Sequence, residues 1–148
     1  MATQQDIDLV QEFTKVMTSD DIEGVIRLFA PDCEWKIMAT GETFQGLDGV
    51  RQIATRSVAA RNHNQGQGLI PFNVFTNAEG TKLIWEYVHT GIVTDQWPAS
   101  THIVPQGTRF ELPIILSCDL RDNKIITIRE YFDLLTLIEP DSAHHLYS

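Results

Sequence analysis

Basic residues are scarce. Lys plus Arg number 11 against 20 Asp plus Glu in 148 residues, a formal net charge of −9 at pH 7. Nonspecific nucleic-acid binding and adhesion to anionic membranes both need a basic surface, so neither partner is expected. No apolar run reaches the roughly 18 residues that mark a membrane-spanning helix. The opening Met1-Ala2-Thr3-Gln4-Gln5-Asp6 lacks the basic and apolar regions of a secretory leader, so a cytoplasmic protein is expected. Only two cysteines occur, Cys33 and Cys118, in apolar surroundings and without metal-ligand spacing. They read as buried, reduced thiols. His63, His144 and His145 lie in polar stretches, and two adjacent histidines without a third ligand are weak support for a metal site. Gly-rich phosphate loops, nucleophile constellations and dinucleotide fingerprints are all missing. No metal and no cofactor is expected. Repeats, low-complexity stretches and linkers are absent too, so residues 1–148 read as a single domain.

The composition, 43% hydrophobic and 21% charged, can bury a core. The chain divides by the period of its apolar residues. Leu9, Val10, Phe13, Val16 and Met17 form one stripe of a helix over 4–18. Asp20 and Asp21 can cap a second helix carrying Ile22, Val25, Ile26 and Phe29, with Pro31 as its stop. A short strand is predicted over 34–40, a turn over 41–46, and a third helix on Val50, Ile53, Ala54 and Val58. After a polar loop at 63–68 the period becomes two. Strands are predicted over 69–75, 82–93, 108–120 and 124–132. Asn77-Ala78-Glu79-Gly80 and Arg121-Asp122-Asn123 serve as tight turns, 94–107 as a long loop, and 134–138 as a possible helical turn. Helices first and a meander afterwards point to an α+β fold: a curved antiparallel sheet with three N-terminal helices on one face and a pocket in its concavity.

The closing segment Asn123-Lys124-Ile125-Ile126-Thr127-Ile128-Arg129-Glu130-Tyr131-Phe132-Asp133 resembles the last strand of the nuclear transport factor 2-like superfamily. The stretch 41–50 resembles that family's link from first strand to third helix. Tyr87-Val88-His89-Thr90-Gly91 and Pro105-Gln106-Gly107-Thr108 are similar to SnoaL-like polyketide cyclases in particular. The resemblance covers nearly the whole chain. It implies a conical α+β barrel with a deep, mostly apolar pocket, usually a homodimer through the outer sheet face. It also implies a small-molecule substrate: a polyketide- or terpenoid-like oxygenated ring worked on by a cofactor-independent cyclase or isomerase. Epoxide hydrolases, epoxide-opening cyclases and non-catalytic binding or dimerisation modules share this fold, so the site has to decide.

By that resemblance Asp133 is the acid/base, a carboxyl whose burial would lift its pKa towards neutrality. Its bland alternative is a cap for the following turn. Strand alternation puts Trp85, Tyr87 and His89 on one face, suited to a polar aromatic ligand; His89 either completes a proton relay or is a core or dimer-interface histidine hydrogen-bonded to a neighbour. Tyr131 shares the face of Asp133, and Arg129 lies nearer the rim. On the first strand Trp35 faces opposite to Lys36 and Met38; an inward Lys36 would stabilise an oxyanion, an outward one is a solvated lysine. Asp119 could pair with His89. Trp97 in the long loop could close over the substrate or make a dimer contact. The Asp-Arg-Asp set of the epoxide hydrolases is incomplete here, because this strand offers Tyr87 and His89.

Overall fold

The computed structural model describes residues 3–18, 20–60, 69–93 and 107–134. Helix α1 spans Gln4–Thr18 and turns Val10, Phe13 and Val16 into the core. Helix α2, Ile22–Ile26, is a single turn capped by Asp21, whose carboxylate accepts from the Gly24 N–H at 2.8 Å. It stops short of Phe29. There β1, Phe29–Ile37, begins, because the neighbouring strand offers partners: the Ile125 N–H donates to the Leu28 carbonyl at 2.9 Å. Pro31 therefore lies inside a strand rather than at a helix end. It sits where the pairing register of β1 breaks, between Phe29 and Glu34, so its missing N–H costs little.

A short strand β2, Thr43–Gln45, forms in the predicted turn, and helix α3 covers Gly46–Ala60. Strands β3 (Leu69–Thr76), β4 (Lys82–Ile92), β5 (Arg109–Arg121) and β6 (Lys124–Tyr131) complete a six-stranded sheet in the order β2-β1-β6-β5-β4-β3. Every pairing is antiparallel except β1 with β6, which run parallel. The sheet is curled and unclosed, and the fold is α+β with helices on its inner face. Residues 94–106 of the predicted loop, with Trp97, and the predicted turn beyond Leu134 lie outside the described residues.

Burial alternates strictly along β4 and β5. Leu83, Trp85, Tyr87 and His89 point inward beside Cys118, Leu116, Ile114 and Leu112. Both cysteines are buried free thiols. Strand β6 breaks the alternation. Asp119 pairs with Thr127 but Leu120 pairs with Ile125, so β6 carries one extra residue, a β-bulge. Ile125 and Ile128 are both buried three residues apart. The bulge resets the phase, so that Ile128 and Glu130 face inward and Arg129 and Tyr131 face out. The hairpin feeding this strand turns on Asp122 and Asn123, both at positive φ (50° and 61°), the geometry of a tight two-residue turn.

Helix α3 closes against β4 at Gly91. A Cβ there would lie 2.4 Å from the Ala60 carbonyl oxygen, which is backbone and cannot swing away. Gly91→Ala should therefore cost about 1–3 kcal/mol of overpacking. A thermal melt should show a drop of several degrees; an unchanged midpoint would mean that the end of α3 is free to lift off the sheet.

Candidate active site

The inner face of the sheet, α1, α3 and the turn before β2 enclose a hollow of about 60 Å³ that opens to solvent. Its walls are mostly apolar: Phe13, Trp35, Ile37, Ile53, Leu112, Ile114 and Phe132. Its polar groups are few: Tyr87 and His89 from β4, Glu130 from β6, Arg56 and Ser57 from α3, and Thr40 and Glu42 from the turn. A concave apolar pocket with a few convergent polar groups is the usual form of a small-molecule site.

Glu130 is the buried acid of this hollow, 8% exposed. The indole Nε1–H of Trp35 donates to its Oε2 at 2.8 Å. Burial pushes its pKa up from 4.5 to about 7, against the pull of the Trp35 hydrogen bond and of the Arg56 charge, with Glu42 adding a push upward. Tyr87 is fully enclosed. Burial first, then the nearby Glu130 charge, hold its hydroxyl well above the ordinary phenol value, so it stays a neutral donor. The His89 ring stands edge-on to Phe110, centroids 5.3 Å apart. At the mouth, Arg56 Nη1 donates to Glu42 Oε2 at 3.0 Å, with the guanidinium carbon 5.2 Å from the centre of the Phe44 ring. The other Glu42 oxygen accepts from Thr40 Oγ1 at 3.0 Å.

Of the residues expected at the site, Trp35, Tyr87 and His89 line the hollow together. Trp85 is buried behind that lining, stacked on Tyr87 at 4.5 Å and edge-to-face with Phe13 at 4.9 Å; it is wall rather than ligand surface. Lys36 shares the opposite face of β1, where its register partner is Arg129, and Met38 is exposed; neither lines the hollow. Asp119 does not meet His89. It points to the outer face, bound to Lys82 and, at 3.1 Å, to Arg129. These cations pull its carboxyl below the usual range, although burial opposes them. Tyr131 is exposed on that same outer face. Asp133 is half-buried just beyond β6 and is not among the lining residues. The physical reason is the bulge. Counting inward residues by twos from Ile125 gives Arg129, Tyr131 and Asp133; the extra residue moves the inward set to Ile128, Glu130 and Phe132.

Glu130, Arg56 and Glu42 were not singled out in the sequence. The helical period carried a signal for one of them, because Arg56 lies one turn beyond Ile53 and flanks the buried stripe of α3. Among the described residues no group of three or more His, Cys, Asp or Glu is placed to hold a metal ion, and no helix is long and apolar enough to cross a membrane.

Residues 10–128 match the family model of the SnoaL-like domain. No curated protein matches the chain significantly. Among solved structures, a putative polyketide cyclase from Xanthomonas campestris pv. campestris superposes with a TM-score of 0.72 at 21% identity, covering 91% of this chain and 95% of that one. A hypothetical protein with a ketosteroid isomerase-like fold from Catenulispora acidiphila, in complex with trimethylamine, gives 0.69 at 18%, covering 88% of each. SalBIII, an epoxide hydrolase/cyclase-like enzyme of pyran ring formation in the polyether salinomycin, gives 0.68 at 14%, covering 88% and 95%. At these identities the superpositions speak to the fold.

Proposed function

Because the chain belongs to the SnoaL-like domain family, we propose that its hollow moves protons on an apolar, oxygenated ring compound of the polyketide or terpenoid kind. The protein is then a cofactor-independent cyclase or isomerase. The observation that carries this reading is Glu130: a buried carboxyl in a mostly apolar pocket, with a pKa of about 7, sharing that pocket with Tyr87 and His89. An acid with its pKa near the working pH is suited both to taking and to returning a proton. Charged Glu130 would take a proton from carbon next to a carbonyl. The electron pair moves onto the carbonyl oxygen, which Tyr87 and His89 would meet as donors. Neutral Glu130 would then return the proton at another carbon for a double-bond shift, or to oxygen after the carbanion has closed a ring. Asp133, the residue favoured by the resemblance, is the competing base, and a variant separates the two.

The test needs no knowledge of the natural substrate. A bicyclic ketone such as 2-tetralone is held in D₂O with the protein, and loss of its α-proton signals is followed by NMR. Exchange well above the buffer rate is expected. A protein that binds the ketone without exchanging it would be a ligand-binding module instead, and the proton-transfer reading would be lost.

A second copy of the chain is the proposed partner. Phe75 (53% exposed), Ile84 (40%), Ile115 (42%) and Tyr131 (43%) stand on the outer face of four neighbouring strands. The register makes them a band: Phe75 opposes Ile84, and Ile115 opposes Tyr131. Such a band across a sheet face is costly to leave in water. Ile115→Glu is expected to convert a dimer to a monomer in light scattering; a wild-type monomer, or a dimer indifferent to this change, would remove the proposal.

A further inference from the structure

We propose that Arg56 holds the ligand oxygen on which negative charge collects, and that the site is therefore built for acidic carbonyl or enol compounds. This rests on the proton-transfer reading of the same hollow. Taking a proton from carbon leaves an enolate, and an enolate in an apolar cavity needs an opposite charge more than it needs neutral donors. Tyr87 supplies a neutral donor, and His89 an imidazole N–H. Among the described lining residues, only Arg56 carries a permanent positive charge.

Its placement suits that role. The α3 backbone brings it to the cavity wall beside Ser57, and its side chain is 15% exposed. Two anchors fix it: the Glu42 carboxylate at 3.0 Å and the Phe44 ring beneath the guanidinium. Glu42 is itself held by Thr40. A guanidinium presents five N–H donors in a rigid fork, so one oxygen of Glu42 does not saturate it. Glu42 lowers the cost of burying the cation in the empty site. It also competes with an incoming anion, which gives the two residues opposite expected effects. Among the described residues, the charged and titratable side chains around this position are Glu42 from the turn, Glu130 from β6, and His89 and Tyr87 from β4. The ligand's charge comes to rest among them with Arg56 as its cationic contact among the described residues.

The probe pair is para-nitrophenol, largely ionised at about pH 8, and para-cresol, neutral there because an ordinary phenol titrates near 10. Calorimetry on the wild-type protein should show the nitrophenolate binding about tenfold tighter, equivalent to about 1.4 kcal/mol. Arg56→Gln should erase that preference, Arg56→Lys should keep part of it, and Glu42→Gln should widen it. Glu130→Gln, which removes a second negative charge from the same hollow, should keep or widen it, so a wrong choice of base leaves this result intact. Circular dichroism checks each fold. Should Arg56→Gln not fold, the order Glu42→Gln above wild type above Arg56→Lys carries the test. No preference in the wild type, the same preference in Arg56→Gln, or the reverse order overturns the proposal.

Discussion

Glu130→Gln should make the protein more stable at about pH 8 and leave it close to wild type at about pH 5. In the unfolded chain this carboxyl titrates at its ordinary 4.5, whereas in the fold burial lifts it to about 7. Between those values the native state binds a proton that the unfolded state has released. Stability is therefore fully present below 4.5 and is lost as the pH climbs through 7. Each pH unit of that window is worth about 1.4 kcal/mol, so the ionised carboxylate costs the native state about 3 kcal/mol at most. Glutamine has nearly the same shape, never ionises, and can accept the Trp35 N–H through its amide oxygen. For a chain of this length each kcal/mol moves the melting midpoint by roughly 2–4 °C. A gain of several degrees at the higher pH, vanishing at the lower, is the expected melt. Equal midpoints at both would mean that Glu130 is solvated.

The same substitution should cost the chemistry heavily. A positioned general base contributes about 10²–10⁴-fold. Deuterium exchange into 2-tetralone is accordingly expected to fall at least about a hundredfold in Glu130→Gln. Asp133→Asn should leave it near wild type, because Asp133 does not line the hollow. The wild-type rate should rise about tenfold per pH unit on the acid side and level off above about 7, since the charged carboxylate is the base. Trp35→Phe removes the N–H that favours the charged form, so that inflection should move to higher pH. Loss of exchange in Asp133→Asn with Glu130→Gln unaffected would hand the role to Asp133. Stability gained and activity lost in one variant is the expected signature of strain kept for function.

Much of the fold was legible in the chain because its periods are clean. Val10, Phe13 and Val16 recur at helical spacing. Trp85, Tyr87 and His89 recur at spacing two, and all of them are buried. The Asp122-Asn123 turn was readable from residue types that tolerate positive φ. Local pattern also put Trp35 opposite Lys36. It misjudged β1, whose start at Phe29 depends on hydrogen-bonding groups of a strand nearly one hundred residues away. A pairing at that distance leaves no local trace.

The sequence by itself determined the α+β order, the inward face of β4 and two of the polar groups of the hollow, Tyr87 and His89. Tertiary structure decided which acid joins them. Along Ile125-Ile126-Thr127-Ile128 apolar residues are so dense that either phase of alternation fits. The phase is set by what β6 must match on both sides: Leu120 against Ile125 and Cys118 against Ile128 on β5, and Trp35 against Ile128 on β1. Satisfying all three demands one surplus residue in β6. Because side chains alternate with a period of two, that one residue exchanges the faces of everything after it. Glu130 is thereby taken out of water beside Trp35, and the positions of opposite phase are left to the outer face.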